Sequence, residues 1–156
     1  MVNVMDNPYL ISGNVAFDER GKVSFVNDFT FSDVKRFYMI QNHENYFVRA
    51  WQGHQNEAKY FTVLQGKALI CAVKIDNWNT PSKELSVEEF VLTEEKPAVL
   101  CLPKGYANGM MNLTKDTKIV VFATTTLTET NADNYRWEPM YWNPWKQFIK
   151  ESSWVK

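Results

Sequence analysis

Lys59-Tyr-Phe-Thr-Val-Leu-Gln-Gly-Lys-Ala-Leu-Ile-Cys-Ala-Val-Lys-Ile75 decides the fold. Both halves are rich in branched and aromatic residues. Leu64-Gln65-Gly66-Lys67 between them reads as a tight hairpin turn joining two strands, Lys59–Leu64 and Lys67–Ile75. The same texture extends in both directions. Upstream lie Lys22–Val26, which follows the turn signal Glu19-Arg20-Gly21, then Val34–Ile40 and Tyr46–Trp51. Downstream lie Glu89–Leu92, Ala98–Leu102 and Lys118–Thr124. Short strands punctuated by Gly, Pro, Asn and Asp predict an all-β sandwich or barrel. Asp76–Ser86, with Pro81, reads as a surface loop. Only Asn143–Lys150 reads as a short helix, with Asn143 as cap and Pro144 at the first position. No linker or repeat divides residues 1–156, so one domain is expected.

Composition narrows the function. Seventeen basic residues meet eighteen acidic ones, for a net charge of -1. That balance removes the electrostatic basis for non-specific nucleic-acid binding or a polybasic membrane anchor. No apolar run reaches the ~18 residues of a spanning helix. The first residues lack the basic stretch and apolar core of a signal peptide, so a cytoplasmic location is expected. Cys71 and Cys101 sit in apolar runs and read as buried thiols. Aromatics reach 15% with six Trp, which suits a thick β core or a pocket that stacks on flat ligands.

Two segments resemble the motifs of the cupins, small jelly-roll barrels. Metal-binding cupins carry His-x-His, four residues, Glu, six residues and Gly, followed later by Pro-x-Gly-x-x-His-x-x-x-Asn. Here the first motif registers as Gln52-Gly-His54, Lys59 and Gly66, and the second as Pro103-Lys-Gly105-Tyr-Ala-Asn108-Gly-Met-Met-Asn112. The resemblance implies a cupin-type jelly-roll β-barrel with a short C-terminal helix. Gln52, Lys59 and Asn108 stand at three of the four metal-ligand positions. One imidazole beside an ammonium is a poor site for a divalent cation, so no metal and no cofactor are expected. The same cavity would attract an anion, or an oxygen that gains charge during reaction. The period of two puts Lys59, Phe61 and Val63 on one strand face, with Gln52 and His54 sharing a face one strand earlier. Taken singly, Lys59 reads as a solvated strand residue and His54 as a satisfied structural histidine. Their joint fit to the frame raises both to candidates. Glu57 and Lys83 lack that support and read as surface residues.

From about Asn14 to Trp142 the chain is similar to the non-metal cupins that act on nucleotide sugars. These are the dTDP-4-dehydrorhamnose 3,5-epimerase family and the related dTDP-sugar 3,4-ketoisomerases. Phe17-Asp-Glu-Arg-Gly21 resembles the epimerases' Phe-x-Asp-x-Arg-Gly, with one residue fewer after the Phe. Gln41-Asn42-His43 resembles their Gln-Asp-Asn-His, and Val48-Arg49-Ala50-Trp51 their Val-Leu-Arg-Gly strand. Leu102-Pro-Lys-Gly-Tyr-Ala-Asn-Gly109 resembles Ile-Pro-x-Gly-Phe-Ala-His-Gly. Tyr135-Arg-Trp-Glu-Pro139, with Trp142, resembles Ile-Arg-Trp-Asp-Asp-Pro. Arg49-Ala-Trp-Gln-Gly-His54 is similar to the ketoisomerases' Arg-Gly-Tyr-His-Ala-His. Three positions depart from the epimerases. Their catalytic His is Gln52, their late-strand Tyr falls near Thr126 or Leu127, and the His of their Pro-Gly motif is Asn108. Lys59 falls where epimerases also carry Lys, and His54 matches the second ketoisomerase His.

The resemblance implies an isomerase or epimerase of a nucleotide-diphosphate-linked 4-keto-6-deoxy sugar, of the kind used to make bacterial polysaccharides or deoxysugars. Proton abstraction beside a ketone needs a base, a group to hold the enolate oxygen, and an acid. His54 is the expected base. Lys59 or Asn108 would hold the oxygen, and Tyr38 or Tyr106 would return the proton. Tyr60 points opposite Lys59 and is the weakest of the tyrosines. Arg20, Arg36 and Arg49 are candidates for the diphosphate, Gln52 for the sugar, and Trp51 or Phe17 for stacking on the base. A non-catalytic sugar-nucleotide binder and a metal-dependent cupin are the alternatives. The family also implies a homodimer that exchanges N-terminal strands.

Overall fold

The computed structural model describes residues 6–149. The strands are β1 (Tyr9–Ser12), β2 (Asn14–Asp18), β3 (Gly21–Phe25), β4 (Arg36–Ile40), β5 (Val48–Gly53) and β6 (Lys59–Gln65), followed by β7 (Lys67–Lys74), β8 (Glu88–Thr93), β9 (Ala98–Leu102), β10 (Tyr106–Asn112), β11 (Lys118–Ala123) and β12 (Tyr135–Arg136). A short helix α1 (Leu127–Asn131) precedes β12, and a 3-10 turn spans Pro144–Gln147. One sheet has the order β1-β9-β6-β11-β4 and the other β12-β5-β10-β7-β8, with β2-β3 a separate hairpin. The result is an all-β jelly-roll sandwich whose two sheets remain separate.

The Lys59–Ile75 stretch holds two strands, but not a hairpin. β6 lies in one sheet and β7 in the other, so Gly66 turns a corner between sheets. Its φ of 81° suits glycine, and a Cβ there would fall 2.6 Å from both Thr114 Oγ1 and Thr117 Oγ1. The reason lies in the side chains. Phe61 and Val63 on β6, and Ala68, Ile70 and Ala72 on β7, are apolar faces that bury against each other. Side-by-side pairing would leave both faces needing another cover. Leu100, Leu102, Ile119, Val121, Leu92 and Met110 complete that central core.

Four of the six Trp belong to a second core on the outer face of the β5–β10–β7 sheet. Trp51, Trp142 and Trp145 are buried there with Trp137 and Tyr141 packed against them. The segment after β12 therefore lies across the back of the sheet. The expected Asn143–Lys150 helix contracts to the Pro144–Gln147 turn, where Asn143 makes no side-chain cap bond; Lys150 lies outside the described residues. Helix α1 was not foreseen, yet its signal is local: Thr126 and Glu129 form a reciprocal capping box. Strands β1, β2, β10 and β12 also go beyond the expected set. Among the described residues no helix is long and apolar enough to cross a membrane.

Candidate active site

A two-part cavity opens between the sheets where the edge strands β4 and β12 face each other. The larger part, about 490 Å³, is lined by Tyr38, Arg49, Gln52, Asn108, Met110 and Arg136, among others. The adjoining part, about 290 Å³, reaches Arg36, Tyr38, Gln52, His54, Lys59 and Arg136 beneath α1. Strand alternation places the key groups. On β4, Arg36, Tyr38 and Ile40 are partly covered while Phe37 and Met39 are exposed. On β12, Arg136 pairs with Gln52 of β5, so the two side chains are cross-strand neighbours.

Lys59 begins β6 and is 3% exposed. Its Nζ donates to Gln52 Oε1 at 3.2 Å and sits 6.0 Å from the Tyr38 ring centre. Gln52 is held in turn, its Nε2 donating to Asn134 Oδ1 at 2.9 Å. Asn108 donates from Nδ2 to the Gln52 carbonyl at 3.2 Å. Burial is the main force that pulls the Lys59 amine down to about 8, helped by the Arg36 and Arg136 charges and opposed by Glu57. Burial and then the Glu57 charge push the Tyr38 hydroxyl up to about 12, so it stays a neutral donor.

His54 lies one residue past β5, in a loop fastened from several sides. Asp133 accepts from the Gln55 and Asn56 backbone N–H groups with its two carboxylate oxygens, at 2.9 and 2.8 Å. The Asp133 carbonyl accepts from His54 Nδ1 at 2.5 Å. Nε2 faces Glu57 Oε2 at 3.4 Å, is buried, and has no hydrogen-bond partner in line. Burial, and next the Lys59 charge, push the imidazole below its ordinary 6.5.

Glu57 overturns its reading as a surface residue. Its side chain is fully covered. Oε1 accepts from Arg36 Nη2 at 2.8 Å, and Oε2 accepts from Thr130 Oγ1 at 2.6 Å. Arg36 also donates from Nε to the Thr125 carbonyl at 3.1 Å. A buried carboxylate survives only when paired and hydrogen-bonded, and this one is both.

The structure thus brings Tyr38, Gln52, His54, Lys59, Asn108, Arg36 and Arg49 to one cavity. The rest do not serve as expected. Trp51 borders the larger part of the cavity but cannot stack on a ligand base: its indole is buried against Trp142 and Trp145, and its Nε1 donates to the Pro139 and Trp142 carbonyls. Both Ala50 and Trp51 pack in the outer core, breaking alternation opposite a register shift between Asn108 and Met110. Tyr106 lines neither part of the cavity; its hydroxyl donates to the Asp6 carbonyl at 3.3 Å. Arg20 lies on the β2-β3 hairpin, 83% exposed and paired with Asp18, and Phe17 on the same hairpin is equally open to solvent. Tyr60 faces the other way and donates to Asp33 Oδ2 at 2.6 Å. Sequence reasoning missed Arg136, quoted only for its motif, and Thr130. Arg136 makes no hydrogen bond or ion pair among the described residues, and its guanidinium is free for a ligand. Among the described residues no three His, Cys, Asp or Glu side chains gather as a metal site would require.

Residues 5–151 match the family model described as dTDP-4-dehydrorhamnose 3,5-epimerase. No curated protein matches the sequence. Among solved structures the chain is similar to a double mutant of the 3'-monoepimerase ChmJ from Streptomyces bikiniensis in complex with dTDP. The two share 15% identity with a TM-score of 0.76, over 94% of this chain and 78% of that one. It is similar to a mutant of the 3,4-ketoisomerase QdtA from Thermoanaerobacterium thermosaccharolyticum in complex with TDP-4-keto-6-deoxyglucose, at 20% identity and TM-score 0.66, over 94% and 100% of the chains. It is also similar to the TDP-quinovose 3,4-ketoisomerase WlaRB from Campylobacter jejuni, at 19% identity and TM-score 0.65, over 87% and 97%. With the family match running nearly end to end, the chain belongs to the dTDP-4-dehydrorhamnose 3,5-epimerase family.

Proposed function

We propose that the chain isomerises or epimerises a nucleotide-diphosphate-linked 4-keto-6-deoxy sugar, by moving a proton at a carbon beside the ketone. One observation carries the reading. Arg36, Arg49, Lys59 and Arg136 all line one cavity, and the buried acid beside them, Glu57, is already engaged by Arg36 and Thr130. A cavity so charged favours an anionic ligand, and guanidinium forks suit diphosphate oxygens. The ketoisomerase and epimerase structures that carry TDP or dTDP ligands support the choice of nucleotide.

The replacements at Gln52 and Asn108 favour the second reading, a binder that has lost its chemistry. Neither amide accepts a carbon-bound proton near neutral pH. Incubation of TDP-4-keto-6-deoxyglucose with the protein in deuterated water separates the two. The expected result is deuterium at a carbon adjacent to the ketone, with a new sugar isomer accumulating. Binding of dTDP without any exchange would leave only the binder, and absence of both binding and exchange would remove the nucleotide-sugar reading altogether.

A further inference from the structure

We infer that Lys59, not His54, is the base that takes the proton from the sugar carbon, and that His54 is a positioning residue. The inference rests on the isomerase reading above and names its reacting group.

Two sets of contacts separate these residues. Both His54 nitrogens point at protein atoms, Nδ1 at the Asp133 carbonyl and Nε2 at Glu57 Oε2. The loop that carries the ring is pinned by the Asp133 carboxylate and by a bond from the Gly105 N–H to the His54 carbonyl at 3.1 Å. A base must reach its proton directly or through one water. Nε2 makes no hydrogen bond but is buried against Glu57, and turning the ring toward the cavity would break the buried Nδ1 bond. Lys59 has no such commitment. Its Nζ meets one neutral oxygen, Gln52 Oε1, and among the described residues no carboxylate lies within ion-pair distance of it. It lies on the wall of the inner part, between Gln52 and Tyr38.

The charged and titratable groups around the amine are Glu57 on the preceding loop, Arg36 and Tyr38 on β4, Arg136 on β12 and His54 after β5. The burial and the two guanidinium groups that bring the amine down to about 8 leave a useful neutral fraction at neutral pH. In the step itself the carbon–hydrogen bond beside the ketone breaks, and its electron pair moves into the carbonyl to form an enolate oxygen. Nζ takes the proton as an ammonium and later returns it to carbon. The neutral Tyr38 hydroxyl and Arg136, neither of which makes a side-chain hydrogen bond among the described residues, are the donors available to the enolate oxygen. No oxidant or second reactant is needed.

The test follows deuterium exchange into TDP-4-keto-6-deoxyglucose across pH, alongside dTDP affinity by calorimetry. For the wild type, exchange should rise with pH to a plateau, half-maximal near 8. A histidine base held below 6.5 would instead give a profile flat above neutral pH. Lys59→Arg keeps the charge but cannot lose its proton; it should cut exchange more than a hundredfold while dTDP affinity stays within about threefold. His54→Gln should lose less than tenfold and keep the same midpoint. Lys59→Arg retaining exchange, or a wild-type profile flat between pH 7 and 9, overturns the assignment while leaving the isomerase reading intact. A wild type that binds dTDP but exchanges nothing overturns both. The wild-type profile decides even where a His54 variant fails to fold.

Discussion

Glu57 stands three residues after His54 with no exposed side-chain surface, and it binds three elements together: Arg36 of β4, Thr130 of α1 and the loop that carries His54. Removing its charge leaves the mostly covered Arg36 guanidinium without its partner. Breaking a buried pair on one side costs about 3 kcal/mol or more. Glu57→Gln should lower the unfolding free energy by roughly that amount in urea titration; a change below ~0.5 kcal/mol would mean the contact is idle. The same variant should depress the Lys59 amine further, because Glu57 is the charge that holds it up. Arg136 is the converse case, an exposed residue whose guanidinium makes no hydrogen bond or ion pair among the described residues. Arg136→Ala should leave the melting temperature nearly unchanged. It should weaken dTDP binding by about tenfold or more, since a charge-assisted hydrogen bond contributes ~1.5–3 kcal/mol. Equal affinities for variant and wild type in calorimetry would take Arg136 out of the binding site.

The elements show a division of labour between the two faces of one sheet. The inner side of β5 offers Gln52 to the cavity, while Trp51 beside it anchors the outer aromatic core. Trp51 is 1% exposed and 5.3 Å from the Trp145 ring centre. Truncating it opens a cavity in close-packed aromatic rings, so Trp51→Ala should destabilise by about 3–5 kcal/mol. Protein that remains folded should bind dTDP as before, because the indole is buried in the outer core and is not presented to a ligand. A selective loss of affinity at unchanged stability would return Trp51 to the ligand site. Helix α1 is short, yet its capping box fixes Thr130 against Glu57 and Asn131 at the cavity rim.

For the whole molecule, a buried ammonium is a standing cost. The Lys59 amine falls from 10.5 to about 8 on folding. Between these values the unfolded chain binds more protons than the folded one, so this group makes stability rise with pH across the window. Below about 8 the full penalty applies, on the order of 3 kcal/mol. Lys59→Met should therefore stabilise the protein at pH 7, and its advantage should shrink between pH 8 and 10.5. A constant advantage across that range, measured by urea unfolding, would show the amine to be solvated. Such a trade of stability for a working group is common at active sites. At the scale of assembly, Phe17, Val23, Phe31, Phe37 and Met39 are all more than half exposed, on the β2-β3 hairpin, on β4 and on the segment between them. We expect a homodimer that covers part of this surface, with a mass near twice 18.2 kDa by solution scattering; a monomeric mass would exclude it.

Much was legible in the residues alone, because period-two patterning is a local property. The apolar strands and their turn residues determined an all-β sandwich or barrel, and the resemblance to the cupin motifs made it a jelly roll with Lys59 and Gln52 facing its interior. What no local pattern contains is which sheet a strand joins, or what lies across from a side chain. The glycine corner at Gly66, the burial of Glu57 and the meeting of Arg136 with Gln52 each depend on residues far apart in the chain. So does the fate of His54: its imidazole is useful as a base only if a nitrogen is free. Asp133, which holds Nδ1, and Glu57, which faces the buried Nε2, come together around it only in the folded protein.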